Sequence, residues 1–387
     1  MSVHKNVRLL AWFNFFTDFK LYAGILIIYF TKITGSLALG MSIFSISSIS
    51  HAIFEVPTGI FSDRIGRKNT ITLGALCSVL YAVVFAIGTS YWILFLGAIF
   101  FGLSEAFYSG NNDALLHDSL KETGNKHEYA AYLGKLSSLF QAALAISALI
   151  GSIIASYSFS LVIWLSAFSQ FICLIISFFI TEPKVKIQKT TNIYSHIKDA
   201  VKLFIQNKKI RFMSIGSMIS FAIGEASFQF QSVFYKTIWP LWAIGGAKTL
   251  SYVGAASSFY LSGKIIKKFN EVKILIIGNL YSRIINTISV LLPSVISPIL
   301  MSSTSLFYGV TKVSTSSYLQ KQFTPNQRAT MESLRSLGES VLFAILAFLL
   351  GLIGDNIGPA KTLFVAQIIA LIGTYIYWQT LKLEKKN

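Results

Sequence analysis

The sequence predicts an all-α membrane protein with about 12 transmembrane helices in two pseudo-symmetric six-helix bundles. Of its 387 residues, 53% are hydrophobic and only 13% are charged, whereas a soluble chain carries about 25% charged residues. Basic residues recur in alternate short loops, and a Lys-rich connection follows the sixth apolar segment. The composition therefore indicates a chain that faces lipid rather than one that buries a single core in water.

Crossing a bilayer takes about 20 mostly apolar residues in one helix. Twelve segments of the sequence meet this need, and we number them span 1 to span 12. The spans are residues 7–30, 37–61, 70–89, 91–116, 132–156, 160–181, 211–235, 238–264, 274–292, 295–320, 333–353 and 359–380.

The charge distribution predicts the orientation of these spans. The formal net charge is +17, and cytoplasmic loops of membrane proteins carry an excess of Lys and Arg. If the N-terminus is cytoplasmic, the alternate loops and both tails hold 26 of the 33 Lys and Arg residues. We therefore expect a multi-pass protein with both termini in the cytoplasm. The compact loops and the absence of a targeting extension fit the bacterial inner membrane. A nucleic-acid partner is not expected, because the charges lie in short runs between apolar segments.

Three regions follow from the spacing of the spans. Residues 1–181 form an N-terminal six-helix bundle, 182–209 form a cytoplasmic linker, and 210–387 form a C-terminal six-helix bundle with a short tail. The Lys-rich linker is expected to hold an amphipathic helix at 194–206 that lies on the lipid surface. The other loops are short, which leaves no room for a soluble catalytic domain.

The loop between spans 2 and 3 contains the most specific motif in the chain. It reads Gly-Ile-Phe-Ser-Asp-Arg-Ile-Gly-Arg-Lys from residue 59 to residue 68. This resembles the G-x-x-x-D-R-x-G-R-R/K signature of the major facilitator superfamily, in the loop where that family carries it. The resemblance implies two related six-helix halves, transport, and a loop that latches the halves together on the cytoplasmic side in the outward-facing state.

The residue types of this loop have physical reasons. Gly59 and Gly66 are expected to allow close packing and a tight turn that side chains would block. Asp63 supplies a carboxylate at the membrane edge. The basic residues of the loop can pair with carboxylates or lipid phosphates, and they are Arg64, Arg67 and Lys68.

A weaker copy of the motif in the second half supports an internal repeat. At an offset of 204 residues, Gly263 corresponds to Gly59 and Asn270 corresponds to Gly66. Asn is one of the few residues that tolerate the left-handed backbone of glycine, so Asn270 is expected to replace Gly66 in this respect.

Ionisable residues at mid-membrane depth are costly and mark candidate functional positions. Asp18, Glu105, Glu225 and Lys312 lie in spans 1, 4, 7 and 10, the spans that line the central cavity in the superfamily. Polar residues at helical spacing extend each position into a stripe. Their stripe partners are Asn14 and Tyr22; Tyr108 and Asn112; Gln229 and Ser232; and Ser305, Tyr308 and Ser316. The stripes indicate a wet cavity, with structural ion pairs as the alternative.

We hypothesise that Asp18, Glu105 or Glu225 carries a coupling proton, because removal from water favours the protonated form of a carboxylate. Lys20 projects away from Asp18 and is expected to pair with a neighbouring helix.

The expected function is proton-coupled transport by alternating access, and the resemblance to compact bacterial members of the superfamily implies efflux of small amphipathic compounds, drugs or metabolites. Proton-coupled uptake of a sugar, peptide or other metabolite is the alternative, and a membrane-embedded enzyme or a receptor is a remote one. Five scattered histidines offer no metal-ligand spacing, and no cofactor motif or Walker-type loop is present. The expected partners are a small-molecule substrate, protons and the lipid bilayer, and the expected state is a monomer.

Overall fold

The computed structural model describes residues 2–122, 124–183, 204–323 and 325–385, and this part is almost entirely helical without a strand. Eight stretches of it are long and apolar enough to cross a membrane. The predicted all-α membrane fold is therefore confirmed. The predicted linker lies mostly outside the described residues, and so does most of the surface helix predicted within it.

The chain divides into two compact units. The first is Met1–Gln188 together with Pro240–Thr249, and the second is Lys189–Trp239 together with Leu250–Asn387. The helices before residue 184 are α1 (Ser2–Asp18), α2 (Leu26–Thr34), α3 (Leu37–Ile65), α4 (Arg67–Ala86), α5 (Tyr91–Tyr108), α6 (Asn111–Glu122), α7 (Tyr129–Ala155) and α8 (Phe159–Phe179). The later helices are α9 (Lys208–Lys236), α10 (Leu241–Lys268), α11 (Glu271–Leu291), α12 (Ser297–Ser303), α13 (Tyr308–Gln322), α14 (Pro325–Ile357) and α15 (Pro359–Lys385).

Nine of the twelve predicted spans coincide with a single helix. The helix that corresponds to span 11, α14, extends past both of its predicted limits. Spans 1, 4 and 10 were expected to be continuous helices, and this expectation is wrong: each is interrupted near its middle.

The interruption in span 1 depends on a neighbouring helix. α1 ends at Asp18, and two side chains of α8 donate hydrogen bonds to carbonyl oxygens in its last turn. Ser169 Oγ lies 2.8 Å from Phe16 O, and Gln170 Nε2 lies 3.3 Å from Thr17 O. Backbone carbonyls that lose their helical partner inside a membrane must be satisfied by the protein, and α8 does this for α1.

The interruption in span 4 is a glycine turn. Gly110 has a φ of 70°, in the left-handed region, which is the usual conformation of a glycine just past a helix end. The Ser109 N–H still bonds to Glu105 O at 2.9 Å, so α5 ends here and α6 begins immediately after the glycine.

The interruption in span 10 follows a run of hydroxyl side chains. Ser302, Ser303 and Thr304 each donate to a backbone carbonyl in the preceding turn, at 2.6–2.8 Å. Such back-bonding competes with the helix ladder and bends helices. Here α12 gives way to a four-residue 3-10 helix, Thr304–Phe307, before α13 begins.

Glycine also sets how closely helices approach within the first unit. α5 packs on α3, and Gly102 lies at the contact. A Cβ atom at Gly102 would lie 2.3 Å from Ser47 O and 2.7 Å from His51 N. Because these are backbone atoms of a packed helix, they cannot move aside without separating the two helices.

We expect Gly102→Ala to lower the thermal unfolding temperature of the detergent-solubilised protein by several degrees. Overpacking typically costs about 1–3 kcal/mol, which exceeds the gain of up to about 1 kcal/mol that alanine gives over glycine in a helix. The matched control is Gly134→Ala in α7, because no described heavy atom lies within 4 Å of a Cβ built there. Equal unfolding temperatures for the two variants would contradict the proposed role of Gly102.

Candidate functional site

The polar centre of the first unit lies beside the interruption of span 1. Lys20, in the turn after α1, pairs with Glu105 on α5 at an Nζ–Oε1 distance of 3.3 Å. The Lys20 side chain is 11% exposed, and its Nζ lies 4.9 Å from the centre of the Phe101 ring. Lys20 is expected to pair with a neighbouring helix, and its partner is Glu105, one of the three candidate proton carriers. Sequence spacing did not reveal this pair, because its members are 85 residues apart.

Asp18 has different surroundings from Glu105. It is the half-buried last residue of α1, and no side chain in the described part of the chain lies within ion-pair or hydrogen-bond distance of its carboxylate. One turn earlier, Asn14 Oδ1 accepts a hydrogen bond from Asn112 Nδ2 on α6 at 3.3 Å. Asn112 Oδ1 is buried and has no partner among the described residues. The first unit thus combines a neutralised carboxylate with an unpaired one.

The predicted continuous stripes on spans 1 and 4 are wrong, because both helices are interrupted within them. Tyr22 lies in the turn after Asp18 rather than one helical turn beyond it. Its hydroxyl donates to Tyr81 on α4 at 3.1 Å. Tyr108 ends α5, where its hydroxyl lies in a buried cluster with two serine hydroxyls, and Asn112 belongs to the next helix.

The second unit holds the other predicted charges. Glu225 and Gln229 lie one turn apart on the uninterrupted α9, and Gln229 Nε2 donates to Glu225 Oε1 at 2.8 Å. Lys312 on α13 is exposed, and its Nζ lies 5.7 Å from the ring centre of Phe221 and 5.9 Å from that of Tyr308. Among described residues, Lys312 forms no ion pair. The predicted stripe on span 10 loses its first member, Ser305, to the 3-10 helix.

The signature loop is closed by a carboxylate that sequence reasoning missed. Gly66 has a φ of 90°, and a Cβ there would lie 2.9 Å from the carboxyl carbon of Glu182, so glycine is required on two grounds. The backbone N–H groups of Arg67 and Lys68 donate to the two Glu182 oxygens at 2.8 and 2.7 Å. A carboxylate at the first turn of a helix satisfies free N–H groups and complements the helix dipole. Glu182 therefore caps α4 from the end of α8.

The basic side chains of the loop differ in what they contact. Arg67 Nη2 pairs with Asp118 Oδ2 on α6 at 3.1 Å, whereas Arg64 is exposed. The side chain of Asp63 lies outside the described part of the structure. The expected close packing at Gly59 is wrong for the described residues, none of which has a heavy atom within 4 Å of a Cβ built there. The reason is that Gly59 lies on an exposed face of the regular helix α3.

The second unit repeats this arrangement with the charges exchanged. Glu271, which begins α11, pairs with Lys321 near the end of α13, as Arg67 at the start of α4 pairs with Asp118. Asn270 does not adopt the glycine-like backbone expected of it, because its φ is −65°. Its side chain instead accepts from Lys273 N at 3.1 Å and donates to Glu384 at 3.2 Å.

The residues at the helix interruptions and the residues of the signature loop differ in chemistry. The residues at the helix interruptions combine carboxylates, a lysine and aromatic rings, which can bind a ligand and exchange protons. Within the described residues, no group of three His, Cys, Asp or Glu side chains could hold a metal ion. Of the signature residues, Gly66, Arg67 and Lys68 are engaged in holding helix ends together within their own unit.

Comparisons with known proteins agree on one family. A family model described as Major Facilitator Superfamily matches residues 9–342. An uncharacterized transporter of Buchnera aphidicola subsp. Acyrthosiphon pisum is 28% identical over 314 residues, 78% of this chain and 77% of the relative. Multidrug resistance protein 2 of Bacillus subtilis is 25% identical over 242 residues, 58% of this chain and 57% of the relative. A crystal structure of a mutant nucleoside transporter NupG shares the fold, with a TM-score of 0.83 at 14% identity over 97% of this chain and 100% of that chain.

The exchanged charges predict that the Arg67–Asp118 pair tolerates reversal. We expect Arg67→Glu alone to lower the free energy of unfolding by about 1–3 kcal/mol, between the values for exposed and buried pairs, because the Arg67 and Asp118 side chains are 23% and 12% exposed. Adding Asp118→Lys restores an attractive pair of the kind that Glu271 and Lys321 form. Thermal and denaturant unfolding in detergent measure both effects.

The control for this charge swap is Arg64→Glu. Arg64 carries the same charge on the same loop, but no described side chain pairs with it, so its reversal should change stability by less than about 0.5 kcal/mol. A double variant that is no more stable than Arg67→Glu alone would show that the pair does not hold α4 to α6.

Proposed function

The chain belongs to the major facilitator superfamily and is a multi-pass membrane transporter, and we propose that it exports small amphipathic compounds in exchange for protons. The relative named multidrug resistance protein 2 supports export over uptake. Transport proceeds by alternating access, and the protein works as a monomer in the inner membrane. Both termini face the cytoplasm, because 26 of the 33 Lys and Arg residues then lie on the side that membrane proteins enrich in positive charge.

The observation that carries the proposal is the unpaired carboxylate of Asp18. It lies within a membrane span, at a helix end, with no described cation or hydrogen-bond donor on its oxygens. An unpaired carboxylate in a poorly hydrated site is more stable with a proton bound. Interrupted helices are also where transporters place coupling ions, because the freed helix ends supply polar groups at mid-membrane depth. Asp18 meets both conditions.

Glu105 is a weaker candidate for the same role. Its carboxylate already has a cation in Lys20, and a proton would have to compete with that ammonium group. Lys20 follows Asp18 by two residues in a non-helical turn, so it can balance either carboxylate. We therefore assign the transported proton to Asp18 and a positioning role to the Lys20–Glu105 pair. Glu225 is the corresponding candidate in the second unit, where the Gln229 amide rather than a cation contacts it.

We expect Asp18→Asn to abolish substrate-dependent proton movement. The purified protein is reconstituted in liposomes that contain a pH-sensitive dye, under an imposed proton gradient. The panel contains drugs, aromatic acids, sugars and peptides. Asparagine keeps the size and polarity of Asp18 but cannot bind a proton, so substrate flux should become independent of the gradient. The sign of the proton movement distinguishes export by antiport from uptake by symport.

Two matched variants make this experiment decisive. Glu122→Gln removes an exposed carboxylate at the end of α6 and should leave proton movement unchanged. Glu105→Gln should reduce transport but keep gradient dependence, because Asp18 remains. If Asp18→Asn retained full proton-driven flux, Asp18 would not carry the proton. If wild-type protein moved no protons with any compound, the proposal of proton coupling would fail.

A further inference from the structure

We propose that Lys312 forms a binding site for organic anions with an aromatic or otherwise apolar body. This inference rests on the proposed transport function and adds the chemical class of the substrate. Lys312 lies within span 10, and its nearest described neighbours are the aromatic side chains of Phe221 and Tyr308. The contacts that define the site all belong to the second unit.

The depth of Lys312 is set by its helix. Ten residues separate Lys312 from the end of α13 at Gln322, which is roughly 15 Å of helix at 1.5 Å per residue. A lysine side chain is shorter than this distance, so extension along the helix does not bring its ammonium group to the end of the span. A cation at this depth is costly unless it has a partner.

The partners that the protein supplies to Lys312 are uncharged. Its Nζ lies 5.7 Å from the ring centre of Phe221 on α9, a distance at which a cation is attracted to an aromatic ring. The Tyr308 hydroxyl on its own helix is hydrogen-bonded to the ammonium group, and neither partner neutralises the charge. Among the described residues, no carboxylate oxygen lies within 4.0 Å of Lys312 Nζ.

The nearby carboxylates are engaged on their own helices. Glu225 lies one turn after Phe221 on α9 and accepts a hydrogen bond from Gln229 at 2.8 Å. Glu339 on α14 pairs with Arg335 one turn away. The Glu339 charge acts on Lys312 from beyond contact distance, but neither carboxylate touches the ammonium group, so a bound anion can still make the direct contact.

The position of Lys312 is fixed by tight packing at the start of α13. A Cβ at Gly309 would lie 2.4 Å from Phe259 N on α10, and Val310 N–H donates to Ser258 Oγ at 3.0 Å. The Tyr308 ring packs edge-on against Phe259 at 5.9 Å. The backbone that carries Lys312 and the Tyr308 ring are therefore held on a rigid helix start, which lowers the cost of ordering the site on binding.

This combination selects for a particular ligand chemistry. A carboxylate, sulfonate or phenolate would balance the ammonium group, and an attached apolar body would lie against the Phe221 and Tyr308 rings. A neutral analogue would gain the ring contacts alone, and a cationic one would be repelled. An amphipathic anion therefore fits the site better than either.

The test compares three ligands with one ring system: 2-naphthoate, 2-naphthamide and 2-naphthylmethylammonium. Binding to the full-length protein in neutral detergent is measured by isothermal titration calorimetry. We expect naphthoate to bind at least tenfold more tightly than the amide, and the ammonium compound to bind most weakly. In Lys312→Gln, naphthoate should fall to the affinity of the amide, while the amide itself is unchanged, which shows that the fold is intact.

Lys312→Arg is the matched control, because it keeps a cation at the same position and should keep the preference for naphthoate. Equal affinities of the three compounds for the wild-type protein, no binding of any of them, or an anion preference that survives Lys312→Gln would overturn the proposal. The result is separate from the proton assay. If Lys312-dependent binding were found without proton movement, the anion site would stand and the proposal of proton coupling would fail. If other compounds moved protons but naphthoate were not preferred, proton coupling would stand and the anion site would fail.

Discussion

The constraint on which the described structure depends is that a backbone polar group inside a membrane must find its partner within the protein. An uninterrupted helix pairs its own backbone groups, and nine predicted spans are uninterrupted helices. The other three break only where a substitute exists. Ser169 and Gln170 donate to carbonyl groups at the end of α1, and the side-chain amide of Asn111 donates to Phe107 O at the end of α5, at 2.8 Å. Hydroxyl side chains donate to backbone carbonyl groups of α12. The breaks occur in three of the four spans that contain the candidate site charges. Because freed backbone groups must find partners within the protein, polar groups are concentrated beside each break.

Periodicity and composition were sufficient for the order and approximate limits of nine spans, because length and apolarity depend only on neighbouring residues. The left-handed turn at Gly66 was also predictable from its motif. The breaks were not, since span 1 is interrupted through donors from α8, more than 150 residues away in the chain. For the same reason the Lys20–Glu105 pair and the Glu182 cap were missed. No sequence spacing relates such residues, and a helical stripe drawn through Asp18 and Tyr22 assumed a helix that ends between them.

The two units form equivalent ion pairs with the charges exchanged. In each unit, the helix that begins the third span is tied to the end of the fourth by an ion pair. The first residue of α4 is basic and that of α11 is acidic, and Asp118 and Lys321 complement them. An acidic residue near the end of each unit, Glu182 or Glu384, contacts the same loop. The repeat is therefore preserved in the positions of the contacts more than in the residue types, which explains why the sequence showed it only faintly.

Pairing also determines which membrane charges can respond to a proton or a ligand. Glu105 and Glu339 each have a basic partner within 4.0 Å, so any new group must first displace that partner, which is costly at low polarity. Asp18 and Lys312 impose no such requirement, because no described ion pair must be broken. A charge that is left unpaired lowers the stability of the protein, and its retention is understandable if a transported species pairs with it during the cycle. By this argument the least stabilised charges, rather than the best-formed ion pairs, are the positions that we propose for substrate and proton.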